Sequence, residues 1–351
     1  MPNISAERLT EIAAALLIGA GAPESEATTV ARLSIAANLA GHDSHGIIMI
    51  PTYIERIKVS HIVPGAPWEI KQETPTTTVI DGNWGFGYVV TERAMQHTIA
   101  KARTQNVAAT TVFQQGHIGR LAAYPLMAAA EGMIAMITAD SGRSPKHVVP
   151  FGGAKARLGT NPICFAIPSD LPGPLFFDMA TSAAAAGKIA LAVARGKEVP
   201  PGWIIDAEGK PTTDPRKLRQ GGALLPLGGA EGYKGYGLAA IVEIFSGLLT
   251  GLGFGIEPTG RHNDGCFIAV FKVSAFRDLA AFRKEVTEFA QYLKATPTAA
   301  GFDRVYYPGE VEWEREQERR KNGIPIDDTT WEVLRKLATE YGCAERLALS
   351  G

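Results

Sequence analysis

Hydrophobic residues in the first sixty positions recur every three or four places, which is the spacing of amphipathic helices. Leu9, Ile12 and Leu16 share one face of the first such segment, which Ser5 can cap. Glycines or a proline mark the boundaries of these segments. The pattern predicts three helices, at residues 5–19, 23–40 and about 47–58.

The middle of the chain changes to short apolar or β-branched runs that alternate with helical periods. Strands are predicted at residues 76–80, 107–112, 133–138, 163–167, 175–177 and 267–271. Helices are predicted at residues 91–103, 121–131, 183–194, 238–249 and 279–293. The tail is helical again, with a charged helix at residues 313–321 and a last helix that Asp327 or Asp328 caps. This order predicts a mixed α/β fold with helical ends.

The charge balance narrows the classes of partner. Lys and Arg number 35 and Asp and Glu number 36, for a formal net charge of −1. No long-range field therefore attracts nucleic acid or an anionic membrane surface. The longest apolar segment, at residues 238–249, contains Glu243 and is too short to span a bilayer. We expect a small-molecule ligand that is held in a local pocket.

The cysteines and the N-terminus bear on the cellular compartment. Cys164, Cys266 and Cys343 lie far apart and form no CxxC pair, which supports neither a disulfide framework nor a cysteine zinc site. The first residues lack the basic region and apolar run of a signal peptide. These features predict a protein of the reducing cytoplasm.

Candidate catalytic or metal-binding residues are most concentrated in the segment Gly41-His42-Asp43-Ser44-His45-Gly46. Asp43 or Ser44 could simply cap a helix that follows Gly41. His42 and His45 have a spacing that suits two zinc ligands, although no HExxH motif or His/Cys cluster supplies a third. An imidazole is also the side chain best suited to proton exchange near neutral pH. The segment by itself leaves all three interpretations open.

Two more segments place chemistry at the end of a predicted strand. Residues 114–120 contain His117 and Arg120, which could exchange a proton or bind an anion, or could belong to an ordinary surface loop. Asp178 follows the strand at residues 175–177, where a carboxylate could orient a histidine or cap the next helix.

Glycine-rich turns complete the set of candidate motifs. Residues 150–153 and 159–162 flank the strand at residues 163–167, and glycine allows close approach of backbone to a ligand, although structural turns would also explain them. Residues 228–237 place glycines and Lys234 before a helix, as a phosphate cradle would. This loop matches neither GxxxxGK[ST] nor GxGxxG, so a Rossmann domain is disfavoured.

Taken in order, these motifs resemble the type 2, non-Rossmann malate/L-lactate dehydrogenase family over essentially the whole chain. The segments that fit are residues 41–46, 116–119, 150–153, 159–162, 177–182, 211–215, 233–237 and 306–309. Residues 41–46, 117–120 and 199–206 look closest to the branch called hydroxycarboxylate dehydrogenase B.

The resemblance implies a fold and an assembly. It implies a discontinuous helical domain, residues 1–75 and 300–351, and a mixed α/β domain, residues 76–299, that binds a nicotinamide cofactor. It also implies a homodimer with the active site near the subunit interface.

The resemblance further implies roles for individual residues. His45 matches the family's acid/base histidine, Asp178 its carboxylate partner, and Ser44 a member of the same relay. His117 matches a second histidine that some relatives use as the proton acceptor, so the choice between His45 and His117 stays open. Tyr53 matches a tyrosine on the substrate side. The residues implied to contact NAD or NADP are His117, Gly119, Arg120, Thr160, Asn161, Asp178, Met179, Ala180, Tyr233, Lys234, Gly309 and Glu310.

One position departs from the family pattern. Many relatives carry an arginine four residues after the second histidine of the first motif, and this chain has Met49 there. Methionine cannot form a bidentate pair with a carboxylate. Arg120, Arg143 or Lys146 would have to hold the substrate carboxylate instead, or the substrate is larger and less polar. An aryl or alkyl 2-oxo acid is therefore expected in preference to oxaloacetate.

The reaction implied is reversible hydride transfer between a nicotinamide and C2 of a 2-hydroxy acid, with a histidine exchanging the hydroxyl proton. A ketimine reductase of the piperideine-2-carboxylate type would use the same scaffold. From other classes, a zinc hydrolase using His42 and His45 and a non-catalytic binding protein remain alternatives.

Overall fold

The N-terminal part is helical, as its periodicity predicts. The computed structural model describes residues 2–140, 146–256, 261 and 263–347. The first elements are β1 (Asn3–Ile4), α1 (Ala6–Gly19), α2 (Glu24–Leu39) and α3 (Ile50–Lys58). The Ser5 side chain caps α1 by accepting a hydrogen bond from the Arg8 N–H, and Leu9, Ile12 and Leu16 are buried on one face.

A seven-stranded sheet forms the centre of the molecule. Its strands and the helices among them are β2 (Glu69–Glu73), β3 (Thr77–Gly85), α4 (Gly87–Gln105), β4 (Val107–Gln115), α5 (Pro125–Ala130), β5 (Met133–Asp140), β6 (Ile163–Ile167), β7 (Leu175–Met179) and, much later in the chain, β11 (Gly265–Lys272). The strand order is β2-β3-β4-β11-β5-β6-β7. Only the β3–β4 pair is parallel, and α4 forms the crossover between them.

Between β7 and β11 the chain forms a smaller unit. It contains α6 (Ala186–Ala194), β8 (Ile204–Ile205), β9 (Pro211–Thr212), β10 (Ala223–Leu224) and α7 (Tyr233–Glu243). The three short strands pair in the order β10-β8-β9, and a π-helical turn, Ile244–Leu248, continues α7. Val148, Ile189, Ile204 and Leu224 belong to its separate hydrophobic cluster.

The C-terminal part returns to the N-terminal helices. It comprises α8 (Leu279–Lys294), α9 (Glu310–Asn322), β12 (Ile324–Pro325) and α10 (Asp328–Glu340). β12 pairs with β1, and Asp327 caps α10 by accepting a hydrogen bond from Thr330 N–H at 2.8 Å. Leu9, Ile80, Ile268 and Leu334 lie in one hydrophobic core that joins both chain ends to the sheet. The mixed α/β class is confirmed; the domain boundaries at residues 75/76 and 299/300 stay a prediction.

Several predicted elements have different bounds. The helix predicted at residues 121–131 is a 3-10 turn (Leu121–Ala123) followed by α5, because Pro125 has no N–H to continue a hydrogen-bonded helix. The helix predicted at 183–194 begins only at Ala186, and the strand predicted to end at residue 177 continues through Asp178.

The strand order brings the candidate motifs to one edge of the sheet. Gly265 pairs with Asp140, and Cys266 pairs with Val112, so β11 begins where β4 and β5 end. Ile163 pairs with both Thr138 and Met179, so β6 begins beside the ends of β5 and β7. Segments that are distant in sequence therefore meet at this edge.

Candidate functional site

The His45 loop follows α2 as two successive 3-10 turns, Asp43–His45 and Ile47–Met49. Asn38, buried near the end of α2, holds both turns. Its Nδ2 donates to Asp43 Oδ1 at 2.7 Å, and its Oδ1 accepts from Ile47 N–H at 2.8 Å. A Cβ at Gly46 would overlap the Asn38 amide, so this position requires glycine.

Helix α9, from the C-terminal part of the chain, also holds the His45 loop in place. Arg319 donates to Asp43 through Nη1 at 2.6 Å and Nη2 at 3.0 Å, and it also donates to the Asn38 carbonyl. His42 lies 3.5 Å from Glu312 of the same helix. Asp43 and His42 thus face α9, and the imidazole of His45 is the one directed to the second histidine.

His45 and His117 form a stacked pair. Their ring centroids are 5.7 Å apart and the planes differ by 29°. Ser44 Oγ lies 2.9 Å from His45 Nδ1, and Tyr53 Oη lies 2.8 Å from His117 Nδ1. A hydroxyl therefore engages Nδ1 of each ring, and this contact holds each imidazole in one orientation.

The environment keeps His45 neutral. Burial, followed by the positive fields of His42 and Arg120, lowers its pKa from 6.5 to about 4, and Asp264 partly opposes this shift. At neutral pH the His45 imidazole can consequently accept a proton.

The family resemblance implied that Tyr53 lies on the substrate side, but the structure places it elsewhere. Its side chain is 1% exposed, and its hydroxyl contacts His117 and, at 3.3 Å, the Tyr88 hydroxyl. Tyr88 in turn donates to the His45 carbonyl at 3.3 Å. Burial raises the pKa of Tyr53 well above its usual value, so the phenol stays protonated. Tyr53 supports a histidine from behind and presents no surface to a substrate.

Asp178 does not pair with His45. Its Oδ2 accepts a hydrogen bond from Ala122 N–H at 2.8 Å and lies 4.0 Å from Arg120 Nε. The contacts of Asp178 therefore lie on the side of Arg120 and Ala122, and those of the His45 Nδ1 atom on the side of Ser44. Burial raises the pKa of Asp178, and Arg120 and the Ala122 N–H oppose that rise. The reason lies in the register of β7, which pairs Asp178 with Cys164 and directs it to the turn at residues 120–122.

Arg120 stays a candidate for binding an anion. Its guanidinium lies 4.9 Å from the Phe176 ring, and its Nε is buried without a hydrogen-bond partner among the described residues. Lys146 is instead buried against Glu243 at 3.1 Å, which removes it as the predicted carboxylate ligand. Arg143 lies outside the described residues. Met49 is half-buried and packs against the main core.

The turns at residues 159–162 and 177–182 meet beside α7. Thr181 Oγ1 donates to the carbonyls of Thr160 and Asn161, both at 3.0 Å. Asn161 has a positive φ of 41°, and its Nδ2 donates to Ala239 O and to Glu243 Oε2. Its Oδ1 is buried and has no partner within the described part of the chain.

The remaining predicted cofactor residues divide into buried and exposed groups. Gly119 and Gly309 have φ of 71° and 94°, and a Cβ at Gly119 would overlap the Tyr88 ring. Glu310 is buried, accepts from Tyr307 N–H and pairs with Lys294, so it holds the start of α9. Half of the Tyr233 side chain is exposed beside Phe151, and the exposed Lys234 pairs with Glu231. Met179 and Ala180 are half-buried at the end of β7.

These residues fit a nicotinamide dinucleotide. Arg120 Nε and Asn161 Oδ1 are a buried donor and a buried acceptor that lack partners within the described part of the chain. Such atoms suit a polar ligand because leaving them unpaired is costly. Thr160, Asn161, Tyr233 and Lys234 would hold the cofactor, and Arg120 would bind an anionic group.

Sequence reasoning missed Asn38, Tyr88 and Asp264. Asp264 is 4% exposed and accepts from Ile118 N–H at 3.1 Å. The sequence did contain a signal for Asp264, because this carboxylate lies shortly before the strand predicted at residues 267–271. No motif marked it, however. Asn38 and Tyr88 sit inside helices, where only the tertiary contacts reveal them.

The zinc interpretation can be examined from the arrangement of the possible ligand side chains. In the described part of the chain, no group of three His, Cys, Asp or Glu side chains is arranged to hold a metal ion, so His42 and His45 lack a third ligand there.

Among the described residues, no helix is long and apolar enough to cross a membrane.

Comparisons with known proteins agree with this geometry. A family model described as malate/L-lactate dehydrogenase matches residues 4–335. L-sulfolactate dehydrogenase of Methanothermobacter thermautotrophicus is 36% identical over 96% of this chain and 97% of its own. Hydroxycarboxylate dehydrogenase B of Escherichia coli K12 is 35% identical over 93% of this chain and 90% of its own.

A solved structure matches as well. Malate dehydrogenase from Entamoeba histolytica superposes with a TM-score of 0.93 at 36% identity, covering 97% of this chain and 98% of that one. The matched region includes every described site residue, and the predicted non-Rossmann fold is confirmed. The chain therefore belongs to the malate/L-lactate dehydrogenase family.

Proposed function

We propose that this protein is a nicotinamide-dependent 2-hydroxycarboxylate dehydrogenase that interconverts a 2-hydroxy acid and its 2-oxo acid. The observation that carries the proposal is the stacked pair His45 and His117, each with Nδ1 engaged by a hydroxyl. Family membership and relatives named for sulfolactate and hydroxycarboxylate support the substrate class.

In the proposed reaction, a histidine exchanges the proton, and Ser44 and Tyr53 position the two imidazole rings. The bound nicotinamide supplies the hydride acceptor for oxidation and the donor for reduction. In oxidation, the neutral imidazole of His45 or His117 takes the hydroxyl proton at Nε2 while the C2 hydride leaves. In reduction, the same imidazolium returns that proton to the new alkoxide. Ser44 and Tyr53 hold the two rings in position through Nδ1.

The substrate proposal follows from Met49. With Lys146 paired to Glu243, Arg120 is the described candidate for binding the substrate carboxylate. The thioether of Met49 and the exposed Ile48 favour an aryl or alkyl side chain at C3 of the substrate. We expect a higher kcat/KM for phenylpyruvate than for oxaloacetate. A clear preference for oxaloacetate would contradict this substrate class.

A panel of 2-oxo acids with NADH or NADPH, followed by nicotinamide absorbance, tests the function and the cofactor preference. Including piperideine-2-carboxylate separates the ketimine reductase alternative on the same scaffold. Turnover of none of these compounds would favour a non-catalytic binding protein, and stoichiometric zinc in the purified protein would favour the hydrolase.

We also propose that the protein works as a homodimer. Ile241, Ile244 and Leu248 lie at three- and four-residue spacing along α7 and its π-helical turn, and each is about half exposed. Phe254 and Ile256, which follow this segment in the chain, are also exposed. Exposed apolar side chains on one helix face are typical of protein–protein interfaces.

A further inference from the structure

We infer that Asp264 is the carboxylate that positions the histidine pair and stabilises its positive charge when a proton is taken up. This inference rests on the proposed dehydrogenase function. The family resemblance gave that role to Asp178, whose carboxylate instead contacts the Ala122 N–H and lies near Arg120.

The backbone places Asp264 directly beneath the His117 loop. Its N–H donates to the Gln115 carbonyl at 3.0 Å, and its Oδ2 accepts from Ile118 N–H at 3.1 Å. These two bonds bracket His117 from both sides in sequence. The next residue begins β11, so the carboxylate stands directly at the start of the central strand of the sheet.

The charges around His45 give Asp264 a distinct role. The groups that act on its pKa are His42 and Arg120, which disfavour the imidazolium, and Asp264, which favours it. Tyr53 and Tyr88 behind the rings are buried phenols with raised pKa values and are neutral. Asp264 is therefore a negative charge that favours the protonated state of His45, and it is buried, where a charge pair is weakly screened.

Asp178 provides a matched comparison. It is a second aspartate at the same sheet edge, but its carboxylate is engaged by Ala122 N–H and faces Arg120. Its replacement should change binding of the cofactor or the anion, whereas replacement of Asp264 should change proton exchange. The two carboxylates can therefore be separated by experiment.

The test uses the full-length chain with Asp264→Asn, Asp264→Glu and Asp178→Asn. Asp264→Asn keeps an oxygen for the Ile118 N–H and removes the charge. We expect its kcat for hydroxy acid oxidation to fall by about 10²-fold, the usual scale for losing an acid–base contribution. The Kd for NADH, from fluorescence titration, should not change. Asp264→Glu should recover part of the rate because it restores the charge.

A readout independent of turnover is the titration of histidine ring carbons by NMR, assigned with His45→Ala. In Asp264→Asn the pKa of His45 should decrease, so that the ring stays neutral at the pH where the wild-type ring titrates; in Asp178→Asn it should not change. An unchanged titration and an unchanged kcat in Asp264→Asn would overturn the inference. Absence of turnover by the wild-type protein, with the titration shift present, would instead refute the proposed function alone.

Discussion

At the scale of single residues, the site depends on how the two imidazoles are held. The hydroxyls of Ser44 and Tyr53 contact Nδ1 of His45 and His117, and these contacts orient the two rings. Burial adds a second effect by disfavouring the charged form of His45. Geometry and desolvation together produce a base that is ready at neutral pH.

The lowered pKa of His45 predicts the pH dependence of hydroxy acid oxidation. A base must be neutral, and His45 becomes protonated only as the pH falls toward about 4. We expect kcat/KM for oxidation to stay level through the neutral range and to decrease only near that pH. An unperturbed histidine would cause the decrease near pH 6.5.

His45→Ala is the matching substitution. Loss of the acid–base group should reduce kcat by about 10²- to 10⁴-fold while cofactor binding is retained. Turnover of His45→Ala close to the wild-type value would assign the proton to His117.

At the scale of elements, helix α9 controls the position of the His45 loop. Arg319 joins α9 to the Asp43 carboxylate and to the end of α2, whereas its neighbour Arg320 pairs with Glu316 on the same exposed helix face. A residue 276 positions away in the chain thus helps to fix the His45 loop.

Arg319→Met should lower both the melting temperature and kcat. Its guanidinium is mostly buried while Asp43 is half exposed, so we expect a loss of about 1–2 kcal/mol in the free energy of unfolding. Arg320→Met is the control and should cost only about 0.3–0.5 kcal/mol, the value of an exposed pair one helical turn apart. Equal effects of the two substitutions in thermal unfolding would contradict the role of Arg319.

Helix α7 contains two glycines, Gly235 and Gly237, that can be compared by the same substitution to alanine. A Cβ at Gly235 would overlap the Leu227 carbonyl, whereas a Cβ at Gly237 would meet nothing within 4 Å. The glycine-rich segment before residue 238 is therefore the first turn of a helix packed tightly on a loop. This explains why the sequence pattern placed the start of the helix five residues too late.

Gly235→Ala should destabilise the protein by about 1–3 kcal/mol because the loop must shift. Gly237→Ala should stabilise it by about 0.5–1 kcal/mol because alanine favours the helix. Denaturant unfolding of the two variants measures the difference. A stabilising Gly235→Ala would show that Leu227 does not pack on α7 in this way.

At the scale of the whole molecule, the proposed homodimer can be tested through its apolar face. Leu248→Glu places a charge on the face formed by Ile241, Ile244 and Leu248, and should shift the protein from dimer to monomer in light scattering. Tyr292→Glu, on the exposed face of α8, is the control and should leave the mass unchanged. A dimer that persists in Leu248→Glu would place the interface elsewhere.

The sequence predicted most buried elements because their periodicity reflects the core. The strand Ile163–Ile167 is confirmed at both ends, and α8 begins at the predicted residue. The exposed edge strand β2 escaped prediction since all five of its residues face solvent and carry no alternation. Hydrophobic periodicity arises where one face of a helix or strand is buried. An element with no buried face therefore shows no such periodicity in the sequence.

Ordered motifs and residue types were enough to predict the family and the mixed α/β class, and to select His45 and His117 as candidates. The partners of these and the other site residues depend on tertiary packing. Tyr53 lies behind His117, Lys146 is paired with Glu243, and Asp178 faces Arg120, while Asp264 supports the histidine loop. The physical reason is that strand register and helix packing choose which side chains meet across the sheet edge, and neither is written in local spacing.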